Sequence, residues 1–268
     1  MQSTVCNHKI KLSAKSRFLI YQSMKIVIVG SGAVASHLNT AFKDSADVTM
    51  VNPRTLASLP ESANLYIIAV KDDAIEEVAM KMQQAGVNGI VCHTSGSTSI
   101  NVLKDINSGK EIGVMYPLQT FSRGIVIDYS HIPFFVEGDT ESTERTIRQI
   151  CEVISVNVFS TDSELRRKLH LSAVFANNFV NAMINAADTL LSDTPFDYKV
   201  LMPLVKETIR KIEHDSPIYA QTGPAMRNDV KTIEAHHEIL KDENHKELDK
   251  VYDVMTSYII NNIRPQKK

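Results

Sequence analysis

The chain has 268 residues, of which 43% are hydrophobic and 22% charged, and its formal net charge is −2. This composition suits a globular protein that buries a full core, as one large domain or two ordinary ones. The near-neutral charge excludes a general attraction to nucleic acid or anionic membrane, and no apolar run approaches the length of a membrane span.

Residues 1–23 carry Lys9, Lys11, Lys15 and Arg17, and no acidic residue precedes Asp44. They read as an N-terminal extension, a loose arm or an upstream start, with Met24 opening the domain proper. Ile26 to Val29 is a short apolar strand that feeds into Gly30-Ser31-Gly32, and a helical pattern through Ala33, Val34 and Ala35 follows. Strand, glycine turn and helix in that order form the dinucleotide fingerprint G-x-G-x-x-G/A. Gly30 permits the tight turn, Gly32 lets backbone approach a diphosphate, and the small Ala35 lets helix and strand pack. The helix N-terminus offers unpaired N–H groups to phosphate oxygens.

Val48 to Val51 predicts a second strand, ending at Asn52-Pro53-Arg54. NAD enzymes place an acidic residue at this point to hold the ribose hydroxyls. A neutral Asn52 followed by a guanidinium suits a 2′-phosphate instead, which predicts NADP over NAD; a solvated loop charge is the alternative for Arg54. Leu65 to Val70 predicts the third strand. A helix from Ala74 to Gln84 follows, with Asp72 or Asp73 as its cap. Gly89 to Cys92 predicts the fourth strand, and its end runs into His93-Thr94-Ser95-Gly96-Ser97. Ligands of open parallel sheets sit at the carboxyl ends of strands, so this loop is expected to face a nicotinamide. The expected cofactor contacts are Gly30, Ser31, Gly32, Ala33, Val34, Asn52, Arg54, Val70, His93 and Ser95.

Further strands are expected at Ile112–Met115, Pro133–Val136 and Val156–Phe159, with a helix from Thr140 to Ile154. Alternating strands and helices predict an α/β fold with a doubly wound parallel sheet over residues 24–160. From 161 to 268 the pattern is helical. Thr161-Asp162-Ser163-Glu164 reads as a capping box, and the helical pattern runs without Pro or Gly to about Leu191, a rod of roughly 30 residues and about 45 Å. His170, Val174, Asn177, Asn178, Asn181, Asn185 and Asp188 share one side of it, and the remaining girth is largely apolar, so a buried helix is expected. Polar groups on a buried helix need partners, either on other helices or in a ligand held in a cleft. His170 is the candidate general acid with Asn177 and Asn178 beside it, and a satisfied core histidine is the alternative.

Thr222-Gly223-Pro224-Ala225-Met226-Arg227-Asn228-Asp229 is expected to open the last long helix. Arg227 there would hold a carboxylate or would simply pair with Asp229. The candidate substrate contacts are Ser95, Asn181, Thr222 and Arg227. Lys241 replaces the second histidine that H-E-x-x-H requires after His237-Glu238, so His236 and His237 read as helix-surface residues. Cys6, Cys92 and Cys151 are widely spaced. No metal site and no disulfide framework are expected, and a reducing cytoplasm is the expected setting.

Together these segments resemble a family of proteins named as NADP oxidoreductases, distant relatives of pyrroline-5-carboxylate reductase and the β-hydroxyacid dehydrogenases. The resemblance is carried by Gly30 to Ala35, Val70-Lys71-Asp72-Asp73-Ala74-Ile75, His93-Thr94-Ser95-Gly96, Pro117-Leu118-Gln119-Thr120-Phe121, the His170–Asn178 helix and Thr222 to Arg227. It implies a Rossmann-type sheet followed by an all-α C-terminal domain of the 6-phosphogluconate dehydrogenase type. It also implies NADP binding and a homodimer formed through the helical domain. Tyr116 stands where the family often has His. The Lys-x-x-x-Asn pair of β-hydroxyacid dehydrogenases is absent, because Ser172 follows Lys168. The expected activity is hydride transfer between NADP and a small carbonyl, imine or hydroxy substrate held between the domains. The alternatives are a non-catalytic NADP-binding or redox-sensing protein and a pyrroline-5-carboxylate reductase-like imine reductase.

Overall fold

The computed structural model describes residues 24–104, 109–242 and 245–263. The expected N-terminal extension, residues 1–23 with Cys6, lies outside the described residues. The chain divides after Asn177 into two compact units.

The first unit runs β1 (Lys25–Val29), α1 (Ala33–Phe42), β2 (Asp47–Val51), β3 (Ser62–Ile68), α2 (Ile75–Gln84), β4 (Asn88–His93), α3 (Asn101–Lys104), β5 (Ile112–Pro117), β6 (Phe134–Gly138), α4 (Glu141–Cys151), β7 (Val158–Ser160) and α5 (Ser163–Ala173). The seven strands form one sheet in the order β2-β1-β3-β4-β5-β6-β7. Successive residues of a strand point to opposite faces, and the buried side chains sort accordingly. Ile26, Ile28, Leu65, Ile67 and Cys92 face one layer with Leu38 and Phe42 of α1 and Ile147 and Ile150 of α4. Val27, Val29, Tyr66, Ile68, Val91 and Val114 face the other, with Ile75, Val78 and Met82 of α2. Strands covered on both faces are apolar along their whole length, which is why they stand out in the sequence.

The expectation of an all-parallel sheet holds for β1 to β5 and fails beyond them. β6 is antiparallel to β5, with Phe134 opposite Pro117, and β7 is parallel to β6. Residues 118–133 contain no crossover helix, so the chain re-enters the sheet at the end where it left, and the next strand must run backwards.

Gly30 sits where β1, β2 and β3 close on one another. Its N–H donates to the Val51 carbonyl at 3.1 Å, while the Ala69 N–H donates to the Val29 carbonyl at 2.9 Å. A Cβ on Gly30 would lie 2.3 Å from the Ala69 oxygen.

Asp72 and Asp73 do not cap α2. Asp72–Ala74 form a 3₁₀ turn, Ala74 occupies the cap position without a side-chain bond, and the Asp72 carboxylate accepts a hydrogen bond from Ser97 Oγ at 2.5 Å. The expected capping box at Thr161 is not formed either. Asp162 caps α5, accepting from Leu165 N at 2.7 Å, and Glu164 pairs with Lys168 at 2.8 Å. The expected unbroken helix is interrupted by a π segment, Val174–Phe179, before α6 (Val180–Leu190). A π turn holds more residues than an α turn, so the stripe laid out at constant α-helical spacing does not continue across it.

In the second unit, a 3₁₀ turn at Tyr198–Leu201 follows α6 and leads to α7 (Met202–His214), α8 (Pro217–Ala220), α9 (Pro224–Arg227), α10 (Val230–Asp242) and α11 (Lys246–Tyr258). The expectation that α6 is buried is overturned in the single chain: Val180 and Met183 are each 40% exposed. Asp188 of the stripe accepts from Tyr198 N at 3.0 Å and fixes the turn after α6. Gly223-Pro224 starts only the four-residue α9. Asn228, at φ 57°, ends it in the left-handed region, and Asp229 then caps α10 through Thr232. His236 and His237 are partly buried rather than simple surface residues, because they join α10 to α11 through Tyr252 at 2.8 Å and Asp249 at 2.5 Å. No helix among the described residues is long and apolar enough to cross a membrane.

Gly30→Ala is expected to lower stability by about 3 kcal/mol, because backbone must shift to admit the methyl group. Urea denaturation measures this, and an unchanged midpoint would refute the close approach.

Candidate functional site

Two cavities lie over the carboxyl ends of β1, β2 and β3. One, of about 480 Å³, is lined by Gly30, Ser31, Gly32, Ser36, Asn39, Met50, Val51, Asn52 and Arg123. The other, of about 750 Å³, is lined by Ser31, Gly32, Ala33, Val34, Pro53, Arg54, Ala69, Val70, Lys71, Ala74, Glu77, Val78, Lys81 and Arg123. Eight of the expected cofactor contacts therefore come together here: Gly30, Ser31, Gly32, Ala33, Val34, Asn52, Arg54 and Val70.

Gly32 is the cap residue of α1. It has an ordinary negative φ of −81°, and a Cβ added to it would meet nothing within 4 Å. The chain itself therefore has no need of glycine there, and the bare position opens onto the groove. No side chain caps α1 and no acidic residue stands in its first turn. Its first N–H groups and the positive end of its dipole are left for an anion. Asn52 Oδ1 accepts from Arg54 N at 2.9 Å. That bond occupies the amide oxygen and leaves the Asn52 NH₂ as the outward group, a donor where an acid would accept. Arg54 makes no ion pair among the described residues. These features fit a dinucleotide carrying a 2′-phosphate.

A second cluster lies at the carboxyl ends of β4 and β5. His93 is fully buried, and its Nδ1 accepts from Ser95 N at 3.2 Å. Its Nε2 has no hydrogen-bond partner among the described residues. Burial, seconded by the Arg166 charge, lowers its pKa to about 4, against weaker pulls from the Ser99 backbone and Asp72. Ser95 Oγ is engaged three times, with Ser97 N, Thr98 N and Thr98 Oγ1. It shapes the loop that follows β4. Neither His93 nor Ser95 lines the two cavities.

Arg166 of α5 is fully buried and holds this loop from the other side. Its guanidinium donates to Ser95 O at 3.1 Å, to Thr98 O and to the Glu137 carboxylate. Burial lowers the Arg166 pKa from its ordinary value while Glu137 opposes the fall. One turn further along α5, His170 Nδ1 lies 3.0 Å from the Tyr116 hydroxyl, and the two rings meet edge to face. Gly96 makes this contact possible: a Cβ there would lie 2.6 Å from His170 Nδ1 and 2.8 Å from the Tyr116 ring. Burial raises the Tyr116 pKa, so the phenol keeps its proton at neutral pH, and its oxygen accepts from His170 Nδ1–H in the tautomer that leaves Nε2 bare. Nε2 of His170 is then the edge that can take up a proton and return it while Nδ1 keeps its own.

Asn177 and Asn178 fall in the π segment with exposed side chains, and Asn181, Thr222 and Arg227 are exposed in the second unit. Arg227 acts there on Asp229, whose carboxyl is held low first by Thr232 and then by Arg227 and His236. Arg123, Tyr116 and the Arg166–Glu137 pair were not anticipated as site residues. Arg166 carried a signal, since it sits four residues before His170 on the same helix face. Arg123 stands in a loop without periodicity and carried none.

The sheet order and the glycine turn define a Rossmann-like α/β fold with a groove over its strand ends. Residues 132–259 match the family model described as Domain of unknown function (DUF2520). The chain is similar to a "putative NADP oxidoreductase" of known crystal structure from Bacteroides fragilis, with 32% identity over 90% of this chain and 100% of that one, at a TM-score of 0.82. It belongs to that protein's family. Two further structures share the fold. Plasmodium falciparum pyrroline carboxylate reductase, solved with NADP bound, has 10% identity over 91% of this chain and 99% of its own, at a TM-score of 0.55. A Streptomyces aurantiacus imine reductase has 15% identity over 86% and 93%, at a TM-score of 0.58. No curated protein matches the chain.

Because His93 is held near 4 when folded and titrates near 6.5 when free, the unfolded chain binds a proton across that window that the folded chain does not. Stability is therefore expected to fall, by on the order of 3 kcal/mol, as pH drops from about 6.5 to about 4. Urea midpoints across this range check it against His93→Gln, whose pH dependence should be flatter. An NMR titration of His93 near its free value would refute the assignment.

Proposed function

We propose that the chain is an NADP-dependent oxidoreductase that transfers a hydride between nicotinamide and a small carbonyl, imine or hydroxy substrate. The observation that carries this reading is the groove over the Gly30-Ser31-Gly32 turn: an unneeded glycine, an uncapped helix N-terminus and an Arg54 without an ion pair among the described residues all face the same space. The family relationship with the Bacteroides fragilis protein supports it. The nicotinamide, when bound, supplies or accepts the hydride.

The chain's own residues do the rest. The α1 N-terminus binds diphosphate, and Arg54 with the Asn52 amide binds the 2′-phosphate. His170, steadied at Nδ1 by Tyr116, gives or takes a proton through Nε2 at the reacting heteroatom, and Arg166 fixes the loop that carries Gly96 against it. Within the reading, Asn177, Asn178, Asn181, Thr222 and Arg227 are held as candidates for orienting the substrate. A cytoplasmic setting suits the buried free thiols of Cys92 and Cys151. Assembly as a homodimer through the helical unit is part of the same reading. Leu204 is 67% exposed and Val254 64%, and Val180, Met183, Ile209 and Met255 are exposed with them. Exposed apolar surface on this scale marks an association face.

Calorimetry is expected to show NADPH binding more tightly than NADH. Arg54→Gln should weaken NADPH by about tenfold while leaving NADH unchanged. Uptake of neither dinucleotide would end the proposal. In a reductive screen of small carbonyls and imines, His170→Gln should lose turnover while retaining NADPH. A protein that binds NADPH but turns over nothing in that screen would favour the non-catalytic alternative. Sedimentation equilibrium should give a two-chain species that Met183→Glu converts to single chains, and a wild-type single chain would remove the dimer.

A further inference from the structure

Residues 118–133 cross from β5 to β6 and are held down along their length. His37 of α1 is 5% exposed, and its ring bonds the segment twice, with Nε2 at 2.9 Å from Ser122 O and Nδ1 at 2.8 Å from the Tyr129 hydroxyl. A carbonyl only accepts, so Nε2 carries the hydrogen and Nδ1 receives that of Tyr129 in the neutral ring. The Phe121 ring packs on His37 at 5.0 Å between centroids, and Phe121, Ile127 and Tyr129 pack against the core. Arg123 stands inside this fixed stretch, next to Ser122. Its Nη2 donates to Ser31 O in the middle of the glycine turn, and its side chain lines both cavities.

The charge around it is unbalanced. Arg54, Lys71 and Arg123 line the groove without an ion pair among the described residues. The one carboxylate on its walls, Glu77, is engaged by Lys81 at 2.5 Å. The positive end of α1 faces the same space without an acidic side chain in its first turn. A guanidinium with one N–H on a backbone carbonyl keeps its other donors in the fork that matches two phosphate oxygens.

We propose that Arg123 is a diphosphate-binding residue, a guanidinium that the β5–β6 segment carries across the sheet to close over the Gly30-Ser31-Gly32 turn. This rests on the dinucleotide reading above. It assigns Arg123 to the diphosphate because its anchor is Ser31, in the turn itself, whereas Asn52 and Arg54 stand at the end of β2. Asn52 and Arg54 then read the 2′-phosphate and Arg123 does not.

The test is calorimetry on the full chain with NADPH, NADH and ADP as probes, for the wild type, Arg123→Ala and Arg123→Lys. Arg123→Ala is expected to weaken all three by a similar factor, about tenfold. Arg123→Lys should recover part of the loss, since an ammonium keeps the charge without the fork. Arg123 is exposed, so the variants should fold, and an unchanged thermal midpoint confirms it. Unchanged affinity in Arg123→Ala overturns the proposal, as does a loss confined to NADPH, which would move Arg123 to the 2′-phosphate. Wild-type uptake of ADP without either dinucleotide would sink the oxidoreductase reading but leave this one standing if Arg123→Ala lost ADP. Uptake of none of the three would sink both.

Discussion

The backbone of Gly30 presses against the carbonyl of Ala69 so closely that a single methyl group has no room. That contact clamps the ends of β1 and β3 together, and the Gly30 N–H ties β2 to the same point. Everything that faces the groove is placed by it. The turn leaves β1 at a fixed height, α1 starts three residues after Gly30, and the residues after β2 and β3 are brought alongside. The position of Asn52 and Arg54 relative to the α1 N-terminus follows from strand register rather than from side-chain packing.

The second organising interaction is the buried Arg166. A guanidinium removed from water is costly unless its donors are all met. Here Glu137, Ser95 O and Thr98 O meet them. The same set of bonds holds α5 to the sheet and to the loop after β4, so a change in any member would move His170 as well as weaken the fold. The lone orphan among the buried side chains described, His93 Nε2, lies in this cluster. A polar atom left unmet in an otherwise satisfied neighbourhood is the kind of strain that proteins keep near their chemistry.

Much of this was written in local sequence. The central strands were legible because a strand covered on both sides is apolar without interruption, as Ile26 to Val29 is, whereas the edge strands β2 and β7 are partly exposed. The turn, Asn52, Arg54 and Val70 were legible because a fixed spacing after those strands sets where they emerge. Direction was not legible: whether β6 runs up or down depends on a connection that returns without crossing, and no residue type marks that. Nor was the π segment, which uses the same residue types as the helix around it. The apolar girth of α6 called for a cover, but sequence could not say whether the same chain supplied it, and among the described residues Val180 and Met183 stay exposed. Contacts across long separations were silent as well. Tyr116 and His170 are 54 residues apart, and Arg123 and Ser31 are 92 apart.

The reversal between β5 and β6 has a consequence for how such a protein can diversify. A helical crossover would have carried the chain down the flank of the sheet and back, away from the strand ends. Without one, the stretch from Leu118 to Pro133 stays near the strand ends, and its exposed Arg123 reaches the rim of the groove. Exchanging the exposed Arg123 would alter that rim, whereas exchanging Ile127, Tyr129 or Ile132 would reach into the core.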